Sequence, residues 1–156
     1  MMDITDIKIL ELLQSNSRIS ISEISKKVNM SLSAVSERLK KLESTDIIEQ
    51  YTVILNPEYL GKELSVLMNL SLEQPGLSED FFQFIKEEHE ILECHYITGD
   101  YDYSLKIVTK NTSSLEKLMN KIKSYPGIKR TQTNVILSSI KNNYSVAPYF
   151  DKPAAR

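Results

Sequence analysis

The chain holds one cysteine and only two histidines in 156 residues, and it has no glycine-rich phosphate loop. Cys94 alone cannot close an intrachain disulfide. Cys94 and His95 are adjacent, so on a strand they project to opposite faces and cannot share a metal or act as nucleophile and base. Glu87, Glu88 and Glu90 fit a solvated helix end better than an acid and base pair. No catalytic residue, metal ligand or cofactor is therefore expected. Long hydrophobic runs are also missing, which argues against a membrane-spanning helix and against membrane partners. Met1-Met2-Asp3 lacks the charged start and apolar stretch of a secretory signal, so a reducing cytoplasm is the expected compartment. Nor is there an excess of positive charge. With 19 basic residues against 21 acidic ones the net charge is -2, which excludes a protein that coats a polyanion by charge alone. The 41% apolar content suffices for a core, in one domain or in two small ones.

What is present is most informative near the N-terminus. Ser20-Ile21-Ser22-Glu23 is a capping box, in which Ser20 and Glu23 each satisfy a backbone N–H of the other at a helix start. Ile21, Ile24 and Val28 then share one face. Asn29 and Met30 break the run, Ser31 can cap again, and Leu32, Val35, Leu39 and Leu42 form a second apolar stripe. An earlier helix is indicated by Ile4, Ile7, Leu10 and Leu13, with Asp3 and Asp6 in its first turn. Three helices around one small core, the last two joined by a tight turn, read as a helix-turn-helix, for which double-stranded DNA is the natural partner. Between Lys26 and Lys41 five cations stand against Glu37 alone, so the positive charge is local to this unit. Ser31, Ser33, Ala34 and Ser36 near the start of the second helix suit base edges, and Arg38, Lys40 and Lys41 suit phosphates or flanking bases. A lysine-rich solvated helix face is the plainer alternative.

Residues 47 to 55, Ile-Ile-Glu-Gln-Tyr-Thr-Val-Ile-Leu, are rich in β-branched and aromatic side chains and stop at Asn56-Pro57, which predicts a strand or short wing. Beyond the linker the period changes. Leu64, Val66, Met68, Leu70 and Leu72 alternate with polar residues as in a half-buried strand, ended by Pro75-Gly76. Leu77, Phe81, Phe84 and Ile85 form a helical stripe. Strands follow around Leu92 to Thr98 and Tyr103 to Val108, separated by a turn at Gly99-Asp100. Ser113-x-x-Glu116 opens another helix through Leu115, Leu118, Met119 and Ile122, and Tyr125-Pro126-Gly127 stops it before a strand from Ile128 to about Ser139. The order β-α-β-β-α-β is that of a ferredoxin-like sandwich, making the chain an α+β protein. The expected organisation is a winged helix-turn-helix over 1–50, a strand and linker over 51–62, the sandwich over 63–142 and a loose tail over 143–156. The sheet face without helices needs a partner. Met68, Tyr96 and Leu105 are candidate members of its uncovered rows, and dimerisation is the expected remedy.

Finer signals run the length of the chain. Asp3-Ile4-Thr5-Asp6-Ile7-Lys8-Ile9-Leu10, Leu13-Gln14, Arg18-Ile19-Ser20, then Ser31, Val35, Arg38 and Lys41-Leu42-Glu43 come first. Ile47-Ile48-Glu49-Gln50-Tyr51, Thr98-Gly99-Asp100-Tyr101-Asp102-Tyr103, Pro126-Gly127-Ile128 and Thr131-Gln132-Thr133 follow. In this order and spacing, residues 3 to 142 resemble the Lrp/AsnC family of feast-or-famine transcription regulators. One departure is Asp46, where the family usually has glycine. Aspartate tolerates the left-handed conformation better than most residues, so the turn is expected to survive. The resemblance implies a winged helix-turn-helix joined to a ferredoxin-like, RAM/ACT-like domain that binds an amino acid or related small effector and assembles homodimers, then tetramers or octamers. It implies an effector site at contacts between dimers, carried here by Thr98, Gly99, Asp100, Tyr101 and Asp102, with Thr131 and Thr133 on the last strand. Asp100 or Asp102 can pair with an α-ammonium, and Gly99 lets backbone amides approach an α-carboxylate. A polar hairpin turn whose glycine and aspartates serve only the bend is the plainer reading of the same residues.

Two other function classes compete with a DNA-binding regulator modulated by an amino acid. An enzyme is disfavoured by the thin inventory above, although the fold alone does not exclude one. An architectural regulator that wraps DNA without any effector uses the same elements and differs only in its indifference to ligand.

Overall fold

A computed structural model describes residues 2–74, 76 and 78–148. Pro75 and Leu77, and the tail from 149 onward, lie outside the described residues. The chain divides into two compact units, one within residues 2–54 and 141–148 and the other over Leu55–Ile140.

The first unit is three helices, α1 (Ile4–Ser15), α2 (Ile21–Val28) and α3 (Leu32–Ser44). Each begins where a side chain satisfies the free amides of a helix start. Asp3 accepts from the Thr5 and Asp6 amides at 2.8 and 2.9 Å while Asp6 accepts from the Asp3 amide at 3.0 Å. Ser20 and Glu23 form the expected box, and Ser31 caps α3 through the Ala34 amide at 3.2 Å. Asn29 turns α2 into α3 with a left-handed φ of 55°, and Ser25 donates to the Met30 carbonyl at 2.6 Å across the same turn. Asp46 takes the other left-handed position, also at φ 55°, just beyond α3.

Four wholly buried side chains, Ile9, Ile24, Val35 and Leu42, make this unit's core. Two expectations of burial fail here. Ile4 is 66% exposed and Leu32 56%, and Ile9, outside the expected stripe, is the fully buried residue of α1. The strand expected over residues 47–55 does not form. This stretch runs without regular structure, with Tyr51, Val53, Ile54 and Leu55 exposed. β propensity produces a strand only where another strand accepts its backbone bonds, and none of the four strands among the described residues pairs with it.

The second unit opens with a single 3-10 turn at Glu58–Leu60, then β1 (Leu64–Leu72), α4 (Glu79–Glu87), β2 (Ile91–Tyr96), β3 (Tyr103–Thr109), α5 (Thr112–Lys123) and β4 (Ile128–Val135). The four strands form one antiparallel sheet in the order β2-β3-β1-β4, the ferredoxin-like arrangement. The helix α5 starts two residues earlier than the Ser113 box predicts, because Asn111 supplies the cap by accepting from the Ser114 amide at 3.0 Å. Asparagine is at least as good a cap as serine.

Val66, Met68 and Leu70 of β1 and Leu105 and Ile107 of β3 lie under Phe81, Phe84, Ile85, Leu115, Leu118 and Ile122 of the helices. Met68 and Leu105 are opposite one another in register and fully buried, so they belong to the covered face, not to the uncovered rows. Strand alternation defines two rows, and the helices cover the more apolar one. The open face carries Ser65, Leu67, Asn69 and Ser71 from β1 and Ser104, Lys106 and Val108 from β3. Tyr96 is 76% exposed, but it shares the row of Cys94 and Tyr103.

Several carboxylates are held by the fold. Backbone bonding at the start of α1, then Arg38, lowers Asp3 below its ordinary 3.8. Bonding to Ser20 lowers Glu23, and Lys106 followed by His95 lowers Glu93, both below the ordinary 4.5. With depressed folded values the unfolded chain binds protons first, so this stabilisation is present above the ordinary carboxylate range and is lost as pH falls through the folded values. A urea midpoint that is flat from neutrality down to about pH 5 and drops below about pH 4 is the expected result. A midpoint that rises on acidification would contradict it.

Candidate DNA-reading helix and ligand-binding turn

The α2–turn–α3 pair presents α3 with Ser33, Lys40 and Lys41 exposed and Ala34 and Ser36 half-buried. Ser31 is occupied with the cap, its Oγ lying 3.1 Å from that of Ser33. Arg38 is already engaged within this unit. Placed on phosphates or flanking bases by its sequence position, its Nη1 instead donates to Asp6 Oδ1 at 2.6 Å and to Asp3 Oδ2 at 2.8 Å. On a helix that turns about 100° per residue, Arg38 lies about 160° away from Ser36 and Lys40. It therefore sits on the side that packs against α1. Arg18, Lys26 and Lys27 add exposed cations to this unit.

In the second unit, Thr98 to Asp102 connect β2 to β3. Gly99 has φ 121°, a conformation that side chains rarely adopt, and nothing lies within 4 Å of where a Cβ would stand. Asp102 is tied to the scaffold by three bonds. Its Oδ2 accepts from the Leu72 amide at 2.7 Å, its amide donates to the Leu70 carbonyl at 3.0 Å, and its carbonyl accepts from the Ile97 amide at 2.8 Å. Asp100 differs, since its side chain is exposed and only its carbonyl is engaged, by Arg130 Nη2 at 3.0 Å. The Arg130 guanidinium also lies 4.4 Å from the centre of the Tyr101 ring. Sequence reasoning missed Arg130, whose only signal is its place on the strand that follows Pro126-Gly127.

Beside this turn is a cavity of about 160 Å³ lined by Leu72, Glu73, Gln74, Gly76, Tyr96, Asp102 and Tyr103. The Tyr96 and Tyr103 rings pack at a tilt of 50° with centroids 5.1 Å apart. Thr131 and Thr133 stand opposite Leu70 and Met68 on β4, and Thr133 Oγ1 is buried without a hydrogen-bond partner among the described residues. In register Leu70 separates Tyr103 from Thr131, which puts Thr131 about 10 Å from the turn's end, two strand spacings away. The turn and the threonines are thus neighbours across one strand, and not in contact through it.

A larger furrow of about 280 Å³ lies between α5 and the loop after α4, lined by Glu88, Glu90, Ser114, Lys117, Leu118 and Lys121. Its charges are largely satisfied internally, with Lys121 3.4 Å from Glu88 and Glu90 accepting from Lys62 and Thr109 at 2.9 and 2.8 Å. Cys94 faces Leu105 on the covered side, where burial pushes its thiol up, while His95 pairs with Glu93 at 3.2 Å. No cluster of three potential metal ligands exists among the described residues, and no helix there is long and apolar enough to cross a membrane.

The pattern of a winged helix-turn-helix DNA-binding domain matches residues 2–49, and that of the Lrp/AsnC ligand binding domain matches residues 65–146. The chain belongs to the Lrp/AsnC family. It is 38% identical over 143 residues to the leucine-responsive regulatory protein of Haemophilus influenzae, covering 90% of this chain and 86% of that one. With the protein of the same name from Escherichia coli K12 the identity is 36% over 145 residues, covering 91% and 88%. The crystal structure of a Neisseria meningitidis transcriptional regulator in complex with L-methionine superposes with a TM-score of 0.87 at 32% identity, covering 94% of this chain and 96% of that one. This Lrp/AsnC protein is therefore a DNA-binding transcriptional regulator with an effector-binding domain, and not an enzyme.

Proposed function

We propose that the DNA affinity or assembly of this regulator answers to an amino acid or a closely related small effector, bound at a site between subunits beside the Thr98–Asp102 turn. The observation that carries the proposal is the turn itself. Gly99 leaves open space on one side and Asp100 presents an uncommitted carboxylate, with Arg130 and a small cavity alongside. An α-ammonium pairs with Asp100, and an α-carboxylate approaches the backbone at Gly99. Thr98 and Tyr101 belong to the same turn, whereas Thr131 and Thr133 stand one strand further on, opposite Leu70 and Met68. A cavity of about 160 Å³ is small beside the ~300–1,000 Å³ of ordinary ligand sites, as expected of a site that a second subunit completes. The methionine bound by the Neisseria regulator supports an amino acid as the effector class.

For DNA, we assign base contact to Ser33, Ala34 and Ser36, helix positioning to Ser31, and phosphate contact to Lys40 and Lys41. A homodimer would present two α3 helices to successive major grooves, roughly 34 Å apart. Further association to a tetramer or octamer would bring the turns of different dimers together. An effector acts in such a system only by binding one arrangement more tightly than another.

The test is the light-scattering mass of the full chain with and without each of the twenty amino acids, paired with binding to its own promoter fragment. One amino acid shifting both quantities is the expected result. DNA binding that no amino acid alters would identify the effector-free architectural regulator instead. Lys40→Ala is expected to weaken binding to all DNA sequences and to make the slope of log affinity against log salt shallower by about one. An unchanged slope would remove Lys40 from the phosphate contacts.

A further inference from the structure

We infer that Arg38 is a positioning residue for DNA recognition, tying α3 to the N-terminal cap of α1 through Asp3 and Asp6 and thereby fixing how α3 is rolled about its own axis. The inference rests on α3 being the helix that reads DNA. The three residues form a closed network in which all four carboxylate oxygens have donors. Asp3 Oδ1 takes the Thr5 and Asp6 amides, Asp6 Oδ2 takes the Asp3 amide, and the two remaining oxygens share the Arg38 Nη1. The arginine reaches across 35 and 32 residues of sequence to do this.

The side chain of Asp6 is only 5% exposed, and those of Arg38 and Asp3 are 28% and 52% exposed. A carboxylate as buried as Asp6 is costly without its cation, so the pair is held together by what each would lose alone. The rest of the α1–α3 contact is apolar, built on Ile9, Val35 and Leu42. Apolar burial is non-directional and tolerates a small rotation of a helix. Bonds of 2.6 and 2.8 Å to a fixed cap do not. Ser36 and Lys40 lie on the far side of α3, about 160° round from Arg38, so a roll of the helix would move them off their targets. A small misplacement of reading groups costs specific contacts while leaving general attraction to phosphate intact.

The experiment measures binding of the full chain to its promoter fragment and to unrelated DNA of equal length, over a range of salt. Asp6→Asn, Arg38→Met, the double variant and Arg38→Lys are compared, with folding checked by circular dichroism. Each single variant is expected to lose specific affinity by roughly tenfold, or about 1.4 kcal/mol. Non-specific affinity and salt slope should stay at the wild-type values, the double variant should lose no more than either single one, and Arg38→Lys should recover part of the loss. If Asp6→Asn does not fold, Asp3→Asn takes its place, since asparagine keeps the helix cap while removing the charge. A slope shallower by about one in Arg38→Met, with the aspartate variants binding normally, would make Arg38 a direct phosphate contact and overturn the inference. Folded variants that all bind specifically like wild type would overturn it equally. Ser36→Ala and Lys40→Ala serve as controls, because normal binding by both would reject α3 as the reading helix and not merely the role of Arg38.

Discussion

Ile9→Ala is expected to unfold the DNA-reading unit and to leave the sheet unit folded. The first unit rests on four wholly buried side chains, and Ile9, at 0% exposure, is the one α1 contributes. Truncating a buried isoleucine to alanine costs about 2–5 kcal/mol through lost transfer energy and the cavity left behind. A unit of this size without disulfide or metal is stabilised by only about 3–5 kcal/mol, so the loss is comparable with the whole. The second unit has a separate core around Met68, Phe81 and Leu105, sharing no residue with the first. Circular dichroism on heating is expected to show loss of helix at low temperature followed by a second transition near the wild-type position, and promoter binding should vanish. A single transition shifted as a whole would show that the two cores unfold together. Ile4→Ala is the control. Ile4 belongs to the apparent apolar stripe of the same helix but is 66% exposed, and its removal should change stability by less than about 0.5 kcal/mol.

That contrast shows where the sequence is legible and where it is not. Local signals read well because their partners are a few residues apart. The Ser20–Glu23 box starts α2, and Asp46 adopts the left-handed turn expected where the family usually has glycine. The phase of α1 reads poorly, because Ile4, Ile7, Ile9, Leu10, Leu12 and Leu13 populate most of the helix surface and several stripes fit them equally. For β1 the alternation was plain, yet assigning Met68 to the open row required knowing which row the helices cover. The side with Leu64, Val66, Met68, Leu70 and Leu72 is the more apolar, and it is the one buried. Residues 47–55 have strand composition but no strand partner among the described residues, a condition composition cannot report. Roles that depend on distant partners were the least legible. Arg38 has the residue type and helix position of a phosphate contact, and only the fold brings Asp3 and Asp6 to its guanidinium.

Asp102 presents the same problem at the turn between β2 and β3, and Asp102→Ala is expected to abolish any effector response by undoing the turn rather than by removing a ligand contact. Its carboxylate is the partner of the Leu72 amide, 30 residues away, at 2.7 Å. Alanine leaves that half-buried amide without a protein partner, at a cost of about 1–3 kcal/mol. The same residue's amide and carbonyl bridge Leu70 and Ile97, so the damage spreads to the ends of β1 and β2 and to the cavity wall that Leu72 and Tyr103 form. Asp100→Ala should act in the opposite manner. With its carboxylate exposed and its carbonyl still held by Arg130, stability should stay within about 0.5 kcal/mol of wild type while the effector response weakens. Asp102→Asn separates the two roles, because an amide oxygen can still accept from Leu72 but carries no charge for an α-ammonium. Recovery of both stability and response in Asp102→Asn, measured by urea unfolding and by ligand-dependent promoter binding, is the outcome expected of a latch. Recovered stability with no response would instead make the Asp102 charge the group that meets the effector and would return it to the binding site.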